Sequence, residues 1–286
     1  MKLETDPSWD ITIRPKRKWL EFNLLELWEY RDLLRFLIKR DIVTFYKQTV
    51  LGPLWFFIQP LITTVVFSII FGGIANISTD EIPPILFYMS GIIIWNYFSD
   101  SLIMTSATFT SNASLFGKVY FPRIIVPLSK IISGLVKFCV QCLMFFGFYI
   151  YYIFNNDQGI TTSFENLILL PVLVFQMGIL GFGIGLIISS ITTRYRDFSY
   201  LVNFGTQLLM YASPIVYPLS VVPEKYAKII ILNPITPSIE GFRHILVGQG
   251  LFDYGMFLNA AFSTFFIFVF GLILFNKVEK TFIDTV

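Results

Sequence analysis

Few side chains in this sequence could do chemistry, and their spacing is informative. His244 is the only histidine and stands beside Arg243. With no HExxH and no Cys/His cluster around it, it cannot anchor a catalytic or structural metal. Cys139 and Cys142 are three apart in an apolar run, near one helical face but not oriented for a disulfide, and read as buried filler. The stretch GILGFGIGLIISS at 178–190 misses the GxGxxG pattern because position 186 is leucine, and no GxxxxGK[ST] occurs. The chain therefore does not cradle nucleotide phosphates itself. Gly181 and Gly185 instead stand four apart in an apolar helix, the spacing that lets two membrane helices approach closely. Asp100 and Lys137 lie inside apolar stretches, where an ionisable group is costly unless paired or wetted. Snorkelling or an intramolecular pair accounts for both, and a proton path would need more such residues.

Two connections carry more pattern. SNASLFGKVYFPR at 111–123 reads as a short helix begun by Asn112 and stopped before Pro122. Leu115, Phe116, Val119, Tyr120 and Phe121 are expected to be exposed there, beside Lys118 and Arg123, and exposed apolar residues ask for a partner. TRYRDF at 193–198 makes a second charged and aromatic knob with Arg194, Arg196 and Asp197. The alternative for both is a loop that merely retains positive charge.

The elements that must hold these residues follow from composition. Of 286 residues, 55% are hydrophobic and 14% charged, and the mean hydropathy is +0.69, well away from the quarter or so of charged residues usual in soluble domains. A net charge of +2 gives no nucleic-acid surface. A bilayer core of about 30 Å needs roughly 20 apolar helical residues. Such windows fall at 54–74, 85–105, 131–154, 167–191, 198–216 and 257–275. Ten basic residues precede Leu54, and further ones follow the second, fourth and sixth windows, while NISTDEIPP and NNDQGITTSFEN have none. Positive charge stays on the cytoplasmic side, so both termini are expected there. The first fifty residues contain no apolar stretch suited to a cleaved signal.

Within 24–47, Leu27, Tyr30, Leu34, Leu37, Ile38 and Phe45 share one helical stripe, opposite Glu29, Asp32, Arg35, Lys39 and Arg40. With Trp28 and Tyr46 as amphipathic rings, such a helix suits the cytoplasmic headgroup zone, and Gly52-Pro53 offers a break before the first span. Packing on a soluble domain is the alternative. Between the last two windows, PEKYAKIIIL and SIEGFRHILV read as two short helices, the second capped by Ser238, separated by NPITP. They form either a re-entrant hairpin or a cap on the outer leaflet. The expected fold is an all-α integral membrane protein with six transmembrane helices, an N-terminal amphipathic interface helix in a cytoplasmic segment at 1–52, and a helical hairpin at about 217–250 within the membrane domain at 53–286.

FYKQTVLGPLW at 45–55, GKVYFPR at 117–123, TRYRDF at 193–198, SPIVYP at 213–218, NPITP followed by EGFRHIL at 233–246, and FNKVEKTFID at 275–284 together resemble a known family. It comprises the membrane subunits of type-2 ABC exporters for O-antigen, capsule or teichoic-acid polysaccharides. WDITIRPKRKW resembles the N-terminal extension of O-antigen-type members. The resemblance implies a homodimer in the bacterial cytoplasmic (inner) membrane, docked on two copies of an ATP-binding subunit that bind ATP and Mg, with no cofactor bound by this chain. It implies a polyprenyl-diphosphate-linked glycan as substrate, membrane lipids as surroundings, and no catalytic residue here. On that basis Leu115, Phe116, Lys118, Val119, Tyr120, Phe121, Arg123, Arg194, Arg196 and Asp197 would couple to the ATP-binding subunit. Trp55, Phe56, Phe67, Tyr200, Phe204 and Tyr211 are channel candidates, since the first and fifth spans would line the path and aromatics stack on sugar rings. Pro214, Tyr217, Pro234, Pro237 and Arg243 would form the outer gate. Arg14, Arg17, Arg31 and Arg35 could meet the lipid diphosphate, or equally lipid headgroups. The readings set against this one are a type-2 exporter of small hydrophobic molecules or drugs and a polyprenyl-lipid glycosyltransferase.

Overall fold

The computed structural model describes residues 24–285 except 48, 120 and 156–163. Among these the chain is all helix: α1 (Leu24–Glu29), α2 (Arg31–Tyr46), α3 (Trp55–Phe67), α4 (Pro84–Ser106), α5 (Thr108–Phe116), α6 (Ile125–Phe154), α7 (Leu170–Thr192), α8 (Phe198–Tyr211), α9 (Glu224–Leu232), α10 (Ile235–Val247) and α11 (Tyr254–Thr285). Four helical stretches are long and apolar enough to cross a membrane: Gly52–Ile74, Ile125–Phe154, Leu167–Thr192 and Tyr254–Glu279. The expected second and fifth spans fall on α4 and α8, which are of another kind. α4 carries Asn96, Ser99, Asp100 and Ser101 among its apolar residues, and α8 has only 14 residues before Ser213 and Pro214 end it.

α4 is the axis of the bundle, with α3, α6, α7, α8 and α10 packed around it. Its buried residues, among them Leu86, Tyr88, Ile93, Trp95 and Phe98, lie on every side, the mark of a helix surrounded by protein. α7 is the second pillar, held between α4 and α11. Its glycines explain the closeness. A Cβ on Gly181 would lie 2.7 Å from the Phe98 carbonyl oxygen, one on Gly185 2.5 Å from Thr105, and one on Gly183 2.8 Å from the Phe268 backbone. The small-residue spacing expected to bring helices together thus serves α4, and Gly183 with Gly271 does the same for α11. By contrast Ile62, Leu143, Phe146, Phe262 and Phe265 on α3, α6 and α11 face outward, an apolar surface that suits lipid.

The break before the first span is present: Gly52 has φ +53° and a single 3-10 turn, Gly52–Leu54, leads into α3. Pro60 is accommodated inside α3, where the Thr64 hydroxyl donates to its carbonyl at 2.7 Å, and the helix runs on into a π-helical turn at Ser68–Ile74.

Three expectations are corrected. The helix expected over 24–47 is two helices broken at Tyr30, and the stripe it was expected to turn to lipid packs at least in part on protein. Leu37 is buried, and Leu27, Tyr30 and Leu34 pack against the same protein core, because that stripe meets the start of α6. Its outward face carries Leu25, Trp28 and Phe36 beside Arg31, Asp32 and Arg35. Cys139 faces outward from α6 instead of filling the core. α10 begins at Ile235 with Pro234 as its N-cap, which places Ser238 inside the helix and buries it. Proline needs no N–H in a first turn, so NPITP starts that helix instead of separating it from its neighbour. The lone histidine packs as expected of a structural residue: His244 Nδ1 lies 3.2 Å from the Gly250 carbonyl oxygen and its ring stacks near Phe252.

Candidate functional site

The two ends of the bundle differ in chemistry. At one end α4 and α7 finish together, the Thr192 hydroxyl donating to the Ser106 carbonyl at 3.4 Å. Around them gather α2, α5, the start of α6 and the end of α11. Their shared core is Leu37, Phe109, Phe116, Phe121, Ile125, Val126, Phe182 and Phe275, with Phe109 stacked on Phe275 at 4.7 Å between ring centres. This corrects the expectation that Phe116 and Phe121 are exposed. Each is only 5% exposed, because the partner their apolar rings require is α2 and α11 of the same chain. Asn112 does not begin a helix but kinks α5 (φ −120°), its amide donating to the Thr108 carbonyl at 3.0 Å.

Arg123 is likewise buried rather than displayed. Its Nη1 donates to the Glu279 carbonyl at 2.6 Å, its backbone N–H to the Glu279 carboxylate at 3.3 Å, and its guanidinium lies over the Phe116 ring at 5.5 Å. Burial draws its pKa below the ordinary arginine value, and the Glu279 charge draws it back up. It therefore clamps the 117–123 connection to the end of α11. Arg123→Ala removes the guanidinium bond to the Glu279 carbonyl and the contact with the Phe116 ring, a loss of about 1–3 kcal/mol. The expected outcome is a lower melting midpoint of the purified chain in detergent, with Arg123→Lys falling between.

What this end displays to solvent is Lys118, Val119, Arg194, Tyr195, Arg196 and Asp197, with Leu115 half buried and Arg194 turned over the Tyr195 ring. Tyr120, Arg14 and Arg17 lie outside the described residues. Arg31 and Arg35 are exposed on α2. Arg31 donates to the Trp28 carbonyl at 3.2 Å and Arg35 pairs with Asp32 at 3.1 Å, surface contacts that hold their guanidinium groups only weakly.

The opposite end is built around a buried cation. All of α10 except His244 is buried, whereas α9 has no buried residue. Arg243, 1% exposed, donates from Nη1 to Glu240 at 2.8 Å and from Nη2 to the Pro214 carbonyl at 3.1 Å, and lies 3.8 Å from the Phe87 ring centre. The other Glu240 oxygen accepts from the Leu251 N–H at 3.2 Å. Pro214 and Arg243, both gate candidates, are thus brought together. Pro234 and Pro237 start α10, and Tyr217 is half buried against the main core. The Asn233 amide donates to the Ser213 hydroxyl at 3.0 Å, and the Ser220 hydroxyl donates to Asp80 at 2.7 Å, tying the α8–α9 connection to α10 and to the turn before α4.

Tyr200, Phe204 and Tyr211 share the outer stripe of α8 with Gln207, all exposed, while Val202 and Thr206 on the opposite side are buried. Trp55 is exposed at the start of α3, and Phe56 is half buried. Phe67 is corrected: it is 9% exposed and edge-on to Phe71 and Tyr88 at 5.2 and 6.2 Å, packed in the core and turned away from any surface. Between α4, α7 and α8 lies an apolar cavity of about 240 Å³ lined by Leu102, Ile184, Leu201 and Val202 among others. The Lys137 ammonium and Asp100 carboxylate form the intramolecular pair expected of them, at 2.8 Å.

Glu240, Asp41, Glu279 and Phe87 were not singled out by the sequence. Only Glu240 left a signal, its i, i+3 spacing to Arg243 on one helix.

Among the described residues no group of His, Cys, Asp or Glu could hold a metal. A helical bundle with several bilayer-length apolar helices, and polar residues committed to fastening its two ends, is a multi-pass membrane protein. Residues 32–247 match the ABC-2 type transporter family, and the chain belongs to it. It is similar to the O-antigen export system permease protein RfbA of Klebsiella pneumoniae, 28% identical over 93% of this chain and 98% of the relative. It also resembles the protein of that name from Myxococcus xanthus, 25% identical over 80% and 85%. The polysialic acid transport protein KpsM of Escherichia coli is 26% identical over 85% and 92%.

Proposed function

We propose that this chain is the channel-forming subunit of an ATP-driven exporter that moves polyprenyl-diphosphate-linked, O-antigen-like polysaccharide across the bacterial cytoplasmic membrane. Nearly full-length similarity to permeases named for O-antigen and polysialic acid transport carries this reading. Two copies pair, and each docks on an ATP-binding subunit that supplies ATP and Mg chemistry. α3, α4, α6, α7, α8 and α11 serve as the six spans, α4 and α8 being shielded by their neighbours and by the second copy. The end bearing Lys118, Arg194 and Arg196 faces the cytoplasm together with both termini, in keeping with its positive charge. There α1 and α2 lie along the interface and Lys118, Val119, Arg194, Arg196 and Asp197 meet the ATP-binding subunit. α9 and α10 form a re-entrant hairpin that gates the outer mouth.

The exposed stripe Tyr200, Phe204, Gln207 and Tyr211 supports a glycan path. Rings stack on sugar faces and an amide offers exchangeable hydrogen bonds, a surface suited to a sliding polymer. Cells lacking this chain are expected to accumulate lipid-linked polymer in the cytoplasm, and normal surface polymer in such cells would defeat the proposal. Accumulation of a small hydrophobic compound instead would favour a drug exporter, and polymer synthesis by the purified chain alone would point to a glycosyltransferase. Lys118→Ala with Arg196→Ala is expected to lower export roughly tenfold while the assembled complex still hydrolyses ATP, since these contacts transmit motion. Radiolabelled polymer and phosphate release, measured on one preparation, give the ratio.

A further inference from the structure

Asp41 is 7% exposed and sits where α2 crosses the start of α6. Its Oδ1 accepts from Arg40 of its own helix at 2.9 Å and from the Lys130 ammonium on α6 at 2.8 Å, and its Oδ2 lies 3.5 Å from the Ser129 hydroxyl. A carboxylate so removed from water is retained only if its partners are well placed, and one that bridges two elements fixes their relative position more than it adds stability. Lys130 lies on the second turn of α6, seven residues after the Arg123 clamp. Eight residues further along, about 12 Å of helix, Phe138 meets Phe242 of α10 at 6.0 Å between ring centres. α6 is therefore fastened to α2 near its start and touches the gate helix near its middle.

We propose that Asp41 is a positioning residue that makes α2 and α6 move as one body, so that a push on the cytoplasmic end reaches α10. This rests on the exporter reading given above. Were Asp41 merely structural, its loss would lower recovery of the complex. As a positioning residue, its loss leaves the complex assembled and disconnects the stroke.

The test uses the full complex with its ATP-binding subunit, in a Cys139→Ser, Cys142→Ser background with spin labels at Phe36→Cys and Val136→Cys, both exposed positions on α2 and α6. With Asp41 intact the label distance is expected to be narrow and unchanged by ATP. With Asp41→Asn it should broaden and respond to ATP, export should fall roughly tenfold, and ATP hydrolysis should stay within about twofold. Asp41→Glu should restore at least half the export. The proposal is overturned by near-normal export in Asp41→Asn, by an unaltered label distance, or by loss of the complex in both variants. A native complex that hydrolyses ATP and moves no polymer overturns the exporter reading itself, and the role of Asp41 with it.

Discussion

Arg243→Met is expected to destabilise the folded chain by about 3–5 kcal/mol, the cost of leaving one member of a buried ion pair without its partner. Glu240 would keep only backbone donors, the Leu251 N–H and Leu219, with no cation beside it, and the Pro214 carbonyl would lose the guanidinium it accepts from. The vacated space would lie against Phe87 and Gly91, where a Cβ on Gly91 is already 3.3 Å from Arg243 Nη2. The chain should disappear from the membrane fraction or melt well below the native protein in detergent. Glu240→Gln with Arg243→Met should recover much of that loss, because it removes the stranded charge. An Arg243→Met chain of native melting temperature would show that this pair does not hold α10 to α4.

The second large effect is expected where α7 meets α11. A Cβ on Gly271 would lie 2.5 Å from the Gly183 carbonyl oxygen, and one on Gly183 would lie 2.8 Å from the Phe268 Cα. Both obstacles are backbone, so no rotamer change relieves them and the two helices must separate. Overpacking of that kind costs about 1–3 kcal/mol, and more where the backbone cannot yield. Gly271→Leu should therefore cost more than Gly271→Ala, and Gly183→Ala with Gly271→Ala less than the sum of the singles, since one clash already opens the space for the other. Gly147, whose Cβ would meet nothing, is the control: Gly147→Ala should hold or slightly raise stability, as alanine does in a helix. Equal melting temperatures for Gly147→Ala and Gly271→Ala would remove the basis for close α7–α11 contact.

Much of this protein was determined by its sequence alone. Long apolar windows dictate helices because backbone groups in lipid can be satisfied only within the segment. The bias of lysine and arginine to alternate connections sorts those connections into two sets. The Gly181–Gly185 spacing announces a close helix contact. Those are local or periodic properties, readable without knowing any neighbour.

Tertiary structure alone decided which side chains are hidden. Phe116, Phe121 and Arg123 sit in a connection whose residue types read as a display surface, yet α2 and the end of α11 close over them. Phe67 looks like its neighbours on α3 and is buried because Tyr88 crosses it. Asp41 and Lys130 are 89 residues apart, and no spacing rule could pair them. In a sequence this rich in phenylalanine and isoleucine every face of a helix is apolar enough for core or for lipid. Composition therefore sets which segments cross, and only the approach of another helix settles which face is covered.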